Sequence, residues 1–297
     1  MKLLITSAWK VNQSDLKKLK ENGFIIFFSE DNIKLYGVDP ASIDCIVCNS
    51  FFCFNDIALF KSLKTIQLTS SGIDRVPIDY INENGIKLFN ARGVYSIPIS
   101  EYVVGNLLSF YKKNTIFAKQ QENREWNKIR NLDELYQKKI AILGCGSIGT
   151  EIAKRLFGFG CDVVGFDKIV REDDWFAKIL SIKKLKQEIA GFDVLILCLP
   201  LTDETRHFIN SELLSLLKQN SILINVSRGQ IINEDDLINC LLSKKIYAIL
   251  DVFENEPLNK DSILWELDNV LLTPHISFAS VKNDIRLSEV IVSNLLG

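Results

Sequence analysis

The chain has 297 residues, of which 47% are hydrophobic and 24% charged, a composition typical of globular proteins rather than of disordered or fibrous ones. With 35 Lys and Arg against 37 Asp and Glu, the formal net charge is −2. No basic field therefore draws the protein to nucleic acid or to an acidic membrane surface. The length accommodates two ordinary domains or one large one.

The N-terminal sequence and the cysteines indicate where the protein works. The apolar run after Met1 is too short for a secretory signal, and no segment approaches the roughly 18 apolar residues of a membrane helix. The seven cysteines lie mostly in apolar, strand-like segments. Cys45 and Cys48 have CxxC spacing, but residues three apart on a strand face opposite sides of a sheet. We expect reduced thiols, no metal site and a cytoplasmic protein.

Strand and helix patterns alternate in the first third of the chain. The predicted strands are Lys2–Thr6, Phe24–Phe28, Ile43–Cys48, Ile66–Thr69 and Ile86–Phe89, and the predicted helices are Ser14–Asn22, Asn55–Lys64 and Ile78–Asn84. Short apolar strands separated by helical periods are typical of a parallel sheet with crossover helices.

A long helical stretch from Ser100 to Trp126 carries one apolar stripe and predicts a connector between two α/β units. The alternation then restarts. The predicted strands are Lys139–Leu143, Asp162–Phe166, Val194–Leu199, Ile222–Val226, Tyr247–Leu250 and Val270–Leu272, with a helix over Ser147–Phe157. We predict an α/β protein with two doubly wound parallel-sheet domains and a cleft between them.

A GxGxxG motif joins the first strand of the second half to its helix. In this context Gly144 permits a tight turn, Gly146 lets a pyrophosphate approach the backbone, and Gly149 lets the helix pack closely on the strand. The amides of Ser147 and Ile148 begin the helix, where its dipole favours an anion. The motif in this position predicts a dinucleotide site.

Asp167 follows the next strand, 18 positions after Gly149, about where an acid binds the adenosine ribose diol. A carboxylate there also repels the 2′-phosphate of NADP, a preference that the neighbouring Lys168 weakens only slightly. We therefore expect NAD as the cofactor. A turn with a surface aspartate is the alternative without function.

The chain has two histidines, and they are the candidates for acid–base chemistry near neutral pH. His275 follows an apolar strand, at the sheet edge where ligands bind, whereas we expect His207 to pack or to cap a helix. Arg228 also follows a strand, and is either a surface cation or a bidentate partner for a substrate carboxylate. From the residues alone, either Glu254 or Glu256 could matter.

Six segments in this order resemble the D-isomer-specific 2-hydroxyacid dehydrogenases, the family that includes phosphoglycerate dehydrogenases. They are Ser71-Gly-Ile-Asp74, Gly144-Cys-Gly-Ser-Ile-Gly149, Leu199-Pro-Leu-Thr202, Asn225-Val-Ser-Arg-Gly-Gln-Ile-Ile-Asn-Glu234, Asp251-Val-Phe-Glu-Asn-Glu-Pro257 and Thr273-Pro-His-Ile276. The resemblance implies a flavodoxin-like substrate-binding domain over residues 1–98 and 282–297. It implies a Rossmann NAD-binding domain over residues 99–281.

The resemblance also implies an activity, the hydride transfer that interconverts a 2-oxo acid and a D-2-hydroxy acid. Arg228 would bind the substrate carboxylate, His275 would protonate the carbonyl oxygen, and Glu256 would pair with His275. The spacing of five from Asp251 selects Glu256 over Glu254. A nearby carboxylate favours the charged imidazolium and orients the ring.

Further contacts and a homodimer follow from the same resemblance, with the Ser100–Trp126 stretch as part of the dimer arm. Ser71 and Gly72 would offer backbone amides to the substrate carboxylate. The residues implied for the cofactor are Gly144, Gly146, Ser147, Ile148, Gly149, Asp167, Leu199, Pro200, Val226, Ser227, Arg228 and Asp251.

Several features leave alternatives open. Arg92 replaces a common proline and is either a substrate contact or a solvated loop charge. Phe51, Phe52 and Phe54 either favour a small or apolar substrate without a phosphate or belong to the core. Only 22 residues follow His275, so we expect a short or missing terminal helix. A non-catalytic NAD(H)-sensing protein or corepressor on the same scaffold is the alternative to an enzyme.

Overall fold

The computed structural model describes residues 1–297, and the chain folds into two units. The first unit contains Met1–Tyr95 and Ser280–Gly297, and the second contains Ser96–Ala279. Each unit is built on one parallel sheet. The predicted bounds, residues 1–98 plus 282–297 for a substrate-binding domain and 99–281 for an NAD-binding domain, stay predictions.

The sheet of the first unit has five parallel strands in the order β2-β1-β3-β4-β5, which is the flavodoxin-like order. The strands are β1 (Lys2–Thr6), β2 (Ile25–Ser29), β3 (Cys45–Cys48), β4 (Thr65–Leu68) and β5 (Lys87–Phe89). The α-helices before the second unit are α1 (Gln13–Glu21) and α2 (Ile78–Glu83). The predicted parallel sheet with crossover helices is confirmed.

The sheet is buried on both faces along β1 and β3, whose side chains alternate between two hydrophobic cores. Leu4 of β1 belongs to the core that contains Phe51, whereas its neighbours in β1 belong to the core that contains Trp9. Cys48 lies in the first of these cores and Cys45 in the second, as the strand period predicts. Burial raises the pKa of both thiols, and all seven cysteines are free.

The predicted helix Asn55–Lys64 is wrong. This segment and the residues before it form two short 3₁₀ turns, Phe51–Cys53 and Ile57–Leu59, instead of an α-helix. The Asp56 side chain accepts a hydrogen bond from the backbone amide of Ala58. This bond caps the start of the second turn, which ends at Phe60, where the backbone (φ −91°, ψ 70°) is not helical.

The chain does not end in a short or missing helix, so that expectation is also wrong. A 14-residue helix, Asn283–Leu296, packs on the first unit with Leu287 and Ile291 buried in the core that contains Trp9. The indole Nε1 of Trp9 donates a hydrogen bond to Ser288 Oγ at 3.0 Å. The last residues of the chain are therefore part of the first unit's core.

The second unit has seven parallel strands in the order β12-β11-β10-β9-β6-β7-β8, which contains the Rossmann strand order with one further strand. The strands are β6 (Lys139–Leu143), β7 (Asp162–Asp167), β8 (Lys178–Ser181), β9 (Val194–Leu197), β10 (Ile222–Asn225), β11 (Tyr247–Leu250) and β12 (Val270–Leu272). The helices are α3 (Ser96–Tyr111), α4 (Asn114–Glu122), α5 (Ser147–Gly158), α6 (Leu185–Glu188), α7 (Ser211–Leu216) and α8 (Glu234–Leu242).

The predicted connector helix over Ser100–Trp126 is two helices, α3 and α4. Lys113 between them has a left-handed backbone (φ 54°), which ends the first helix. Trp126 lies beyond α4 and is exposed. α3 packs against α5 within the second unit. None of the helices combines the length and apolarity that a membrane crossing needs.

Candidate active site

The glycine motif forms the turn between β6 and α5, and two of its glycines cannot be replaced without a clash. Gly144 has φ +93°, and a Cβ there would lie 2.6 Å from the carbonyl oxygen of Cys198. A Cβ on Gly149 would lie 2.1 Å from the carbonyl oxygen of Gly144. A Cβ on Gly146 would meet nothing within 4 Å, so this backbone is open to a ligand at the start of α5.

Asp167 ends β7 and is held against the glycine turn. Its Oδ2 accepts a hydrogen bond from the amide of Cys145 at 2.7 Å, and its Oδ1 accepts one from the amide of Ile169 at 3.2 Å. Arg171 donates to the carbonyl of Cys145. A carboxylate can accept more bonds than these two, so Asp167 can also bind ribose hydroxyls. The open turn and this acid fit a dinucleotide.

Four more predicted cofactor residues follow β9 and β10; β9 pairs with β6 in the sheet, and β10 pairs with β9. Leu199 and Pro200 come after β9, where Thr205 Oγ1 donates to the Pro200 carbonyl at 2.7 Å. Val226 and Ser227 come after β10 and are buried. Because carboxyl ends of parallel strands meet at one sheet edge, these residues and the glycine turn share that edge.

His275 and Glu256 form a hydrogen-bonded pair. Nδ1 of His275 lies 2.7 Å from Oε2 of Glu256, and the two side chains are about one-third exposed (32% and 35%). Oε1 of Glu256 accepts a hydrogen bond from the amide of Phe253 at 3.1 Å, which fixes the carboxylate. The carboxylate therefore orients the imidazole and leaves Nε2 for a reacting group.

Asp251 holds the loop that carries His275. The residue is fully buried (0% exposed), and its carboxylate accepts hydrogen bonds from Thr273 Oγ1 and from the amides of Ile276 and Ser277 at 2.6–2.9 Å. The amide of His275 donates to the Asp251 carbonyl at 2.8 Å. These bonds give Asp251 a positioning role; its contact with the cofactor stays a prediction.

Arg228 follows β10 by three residues, and its Nη1 donates to the carbonyl of Ser227 at 2.8 Å. The next residue, Gly229, lies against the backbone of Phe253, three residues before Glu256. A Cβ on Gly229 would lie 1.8 Å from the carbonyl carbon of Phe253, so only glycine permits this approach. The second unit thus holds the Arg228 and Glu256 segments in direct backbone contact.

The structure also contains a pair that sequence reasoning missed. His207 does not cap a helix: its Nε2 lies 2.7 Å from Oε1 of Glu254, and the residue precedes α7 in a turn. Glu254 lies two residues before Glu256. The two glutamates that the sequence left as alternatives are therefore both bound to a histidine. The sequence offered no signal for this pair, because His207 and Glu254 lie 47 positions apart.

In the first unit, Ser71 and Gly72 lie in the loop after β4. Asn90 Nδ2 donates to the carbonyl of Ser71 at 2.8 Å, and Ser71 Oγ donates to the carbonyl of Ala91 at 3.3 Å. Ser70 Oγ donates to the carbonyl of Gly72 at 2.8 Å. The loop is thus fixed by its own side chains and by the loop after β5.

The aromatic loop after β3 is mostly core. Phe51 and Phe52 pack edge-to-face with each other and with Phe60, at 5.5–5.9 Å between ring centroids. Phe51 is fully buried, whereas Phe54 is 45% exposed. The core interpretation therefore accounts for Phe51 and Phe52, and the loop gives little support to an apolar substrate.

Arg92 is an exposed residue on an open cavity of about 740 Å³ in the first unit. The cavity is lined by Ile73, Leu88, Phe89, Asn90, Arg92, Glu289, Val290, Ser293 and Asn294. Its lining mixes both charges with apolar side chains. Nothing in this arrangement assigns Arg92 to the substrate.

The sequence profile of the D-isomer specific 2-hydroxyacid dehydrogenases, NAD binding domain, matches residues 104–277. This range is more than half of the chain and contains the glycine turn, both histidine pairs and Arg228. The chain belongs to this family. Its second unit is an NAD-binding domain, and the protein is an NAD-dependent dehydrogenase of the family.

Individual relatives agree with this membership. A glyoxylate/hydroxypyruvate reductase (HPR3) from Arabidopsis thaliana is 34% identical over 79% of this chain and 72% of its own length. The crystal structure of a D-isomer specific 2-hydroxyacid dehydrogenase family protein from Aeromonas salmonicida is 29% identical with a TM-score of 0.82, over 99% of this chain and 94% of that one.

A third relative is a D-lactate dehydrogenase from Aquifex aeolicus, whose structure was solved with NAD and lactic acid. It is 25% identical with a TM-score of 0.79, and the match covers 99% of this chain and 94% of that one. The family fold therefore extends over both units of this chain.

Proposed function

We propose that this protein interconverts a 2-oxo acid and a D-2-hydroxy acid, with His275 as the acid–base residue. The observation that carries the proposal is the 2.7 Å contact between His275 Nδ1 and Glu256 Oε2 in an NAD-binding domain. An imidazole held at Nδ1 by a carboxylate is oriented to exchange a proton at Nε2.

The proton balance of the reduction follows from this arrangement. NADH, when bound, supplies the hydride that reduces the carbonyl carbon of the oxo acid. The His275 imidazolium gives its Nε2 proton to the carbonyl oxygen, and the contact of Nδ1 with Glu256 keeps the ring oriented for the transfer. In the oxidative direction the neutral imidazole takes the hydroxyl proton back.

Arg228 is the proposed partner of the substrate carboxylate. A guanidinium binds a carboxylate with two parallel hydrogen bonds, which fixes the orientation of the adjoining carbonyl. The contact of Gly229 with Phe253 ties the backbone of Arg228 to the segment of Glu256. We propose that this contact keeps the cation and the acid–base pair in register.

Ser71 and Gly72 are the proposed substrate residues of the first unit, and their backbone amides would bind the substrate carboxylate. The hydrogen bonds from Asn90 and Ser70 to this loop support a fixed backbone, which amide recognition of an anion requires. A homodimer remains an expectation from the resemblance, and a cytoplasmic location remains an expectation from the N-terminal sequence and the cysteines.

A panel of 2-oxo acids tests the proposal. Purified protein is mixed with NADH and, in turn, pyruvate, glyoxylate, hydroxypyruvate, 2-oxoisocaproate, phenylpyruvate or 3-phosphohydroxypyruvate, and the loss of NADH absorbance is followed. We expect turnover of at least one acid, with formation of the D-hydroxy acid on a chiral column. Tight NADH binding without turnover of any acid would contradict the proposal and favour an NAD(H)-sensing protein.

A further inference from the structure

The segment from Asp251 to Pro257 is held by both histidines of the chain. His275 Nδ1 contacts Glu256, and His207 Nε2 contacts Glu254, each at 2.7 Å. Both histidines have a left-handed backbone, with φ of 50° and 51°. Such a backbone is uncommon for a residue with a side chain and persists where the surrounding structure enforces it.

Glu254 is the centre of a hydrogen-bond network. Its Oε1 accepts from the amide of Glu234 at 3.2 Å, and its own amide donates to Glu234 Oε2 at 3.3 Å. Gln230 Nε2 donates to the Glu254 carbonyl at 2.7 Å, and the amide of His207 donates to the Gln230 carbonyl at 2.8 Å. Side chain and backbone of Glu254 are thus fixed together.

The network reaches the proposed acid–base pair through one residue. Phe253 precedes Glu254, and its amide donates to Glu256 Oε1 at 3.1 Å. Glu256 therefore has one oxygen on the Phe253 amide and the other on His275. A shift of the backbone at Glu254 moves the Phe253 amide and changes the position of the Glu256 carboxylate.

We propose that His207 and Glu254 are positioning residues, which hold the Phe253 amide so that Glu256 keeps the proton of His275 on Nδ1. The inference rests on the proposed function only for its kinetic consequence. Neither residue touches a reacting atom; the pair acts through the backbone between Glu254 and Glu256.

The contact between His207 and Glu254 is called the brace below. Two variants disturb the brace with little other change. His207→Asn removes the ring that reaches Glu254 and places a residue that tolerates a left-handed backbone. Glu254→Gln keeps the size of the side chain and an oxygen for the Glu234 amide but removes the charge. The control is Asp268→Asn, which breaks the exposed Lys244–Asp268 pair (3.0 Å) in the same unit. Lys244, like the two histidines, has a left-handed backbone, so the control also removes the partner of such a residue.

The decisive readout is the imidazole ¹⁵N spectrum of protein labelled only at histidine, because two rings give two sets of signals. In neutral imidazole the ¹⁵N shifts report which nitrogen carries the proton. We expect His275 to be protonated on Nδ1 in the wild type and in Asp268→Asn. In His207→Asn and Glu254→Gln we expect a mixture of the two tautomers.

Kinetics gives the second readout, with the oxo acid that the wild type reduces best. Since the proton transfer occurs only in the transition state, kcat falls about tenfold in both brace variants while KM and the NADH affinity stay within about twofold. The control variant retains the wild-type kcat. Circular dichroism and Tm report whether each variant is folded.

Unchanged His275 shifts in both folded brace variants would overturn the inference. So would a loss of Tm and kcat together without any change of tautomer, which would make the brace purely structural. If His275→Asn itself retained full activity, the proposed function would fail. The tautomer measurement would still test the brace, because it requires no turnover.

Discussion

At the scale of single residues, the glycines of the turn after β6 differ in purpose: some are needed for close backbone packing, and Gly146 leaves the backbone open to a ligand. Gly149 is needed for packing, since a Cβ there would lie 2.1 Å from the Gly144 carbonyl. Gly158, in the last turn of the same helix, has nothing within 4 Å of its Cβ position. The two residues therefore form a matched pair for substitution.

Gly149→Ala displaces the start of α5 from the turn, and we expect the NADH dissociation constant to rise at least tenfold, about 1.4 kcal/mol. Gly158→Ala should leave it within about twofold. Fluorescence titration with NADH measures both. Equal affinities in the two variants would show that the close approach does not shape the cofactor site.

Asp167 is the residue that should set the choice of cofactor. In Asp167→Asn the amide oxygen still accepts from Cys145, but the charge that repels a 2′-phosphate is gone. We expect the ratio of kcat/KM with NADH to kcat/KM with NADPH to fall about tenfold or more. An unchanged ratio, with both cofactors tested at the same ionic strength, would contradict this role.

Residue-level prediction was most specific where several motifs fixed a position, and it missed a contact that joins distant segments. The family resemblance selected Glu256 as the partner of His275, and the two are 2.7 Å apart. The contact of His207 with Glu254 joins residues 47 positions apart, through a backbone geometry that no local pattern encodes. Its role therefore came from the structure.

At the scale of elements, apolar strand patterns predicted most of both sheets, whereas polar or short elements were missed. β8 was not predicted, because only four residues with one fully buried side chain pair with β7. A helix was predicted over Asn55–Lys64, but the turn that Asp56 caps ends at Phe60, where the backbone is not helical. Tertiary and local polar contacts override periodicity at these places.

Glu234, the first residue of α8, gives a pH-dependent contribution to stability. Burial raises the pKa of its carboxyl, and the negative charges of Glu254 and Asp235 raise it further. The folded state therefore binds the proton more tightly than the unfolded state. The stabilisation that this protonated carboxyl gives the folded state is present at low pH. It is lost as the pH rises from about the ordinary value of 4.5 through the raised pKa.

Glu234→Gln keeps an oxygen for the Glu254 amide and removes the titration. We expect the variant to gain Tm relative to the wild type at pH 7 but not at pH 4. Thermal unfolding at the two pH values measures the difference. A gain of the same size at both pH values would contradict the assigned burial effect.

At the scale of the whole molecule, each unit completes its own core, and the first unit does so with the last helix of the chain. Ile291 of that helix is fully buried, whereas Ile285 on the same helix is 63% exposed. The strand patterns of the first third could not reveal this, because the helix lies almost 200 residues later in the sequence. Its packing depends on the return of the chain to the first unit.

Ile291→Ala should destabilise the first unit by about 2–5 kcal/mol, through lost burial and the cavity that remains. Ile285→Ala, the matched exposed change, should cost less than about 0.5 kcal/mol. Urea unfolding with hydrogen exchange on peptides from residues 1–95 measures both. Equal small costs would mean that the terminal helix is not part of this core.

A single-turnover experiment tests the proposed acid–base role of His275. Wild type and His275→Asn, which suits the left-handed backbone, are loaded with NADH and mixed with the best oxo acid. The proposed proton transfer predicts that the rate of NADH oxidation falls by about 10²–10⁴-fold in the variant while NADH affinity is retained. A variant that oxidises NADH at the wild-type rate would contradict the acid–base role of His275.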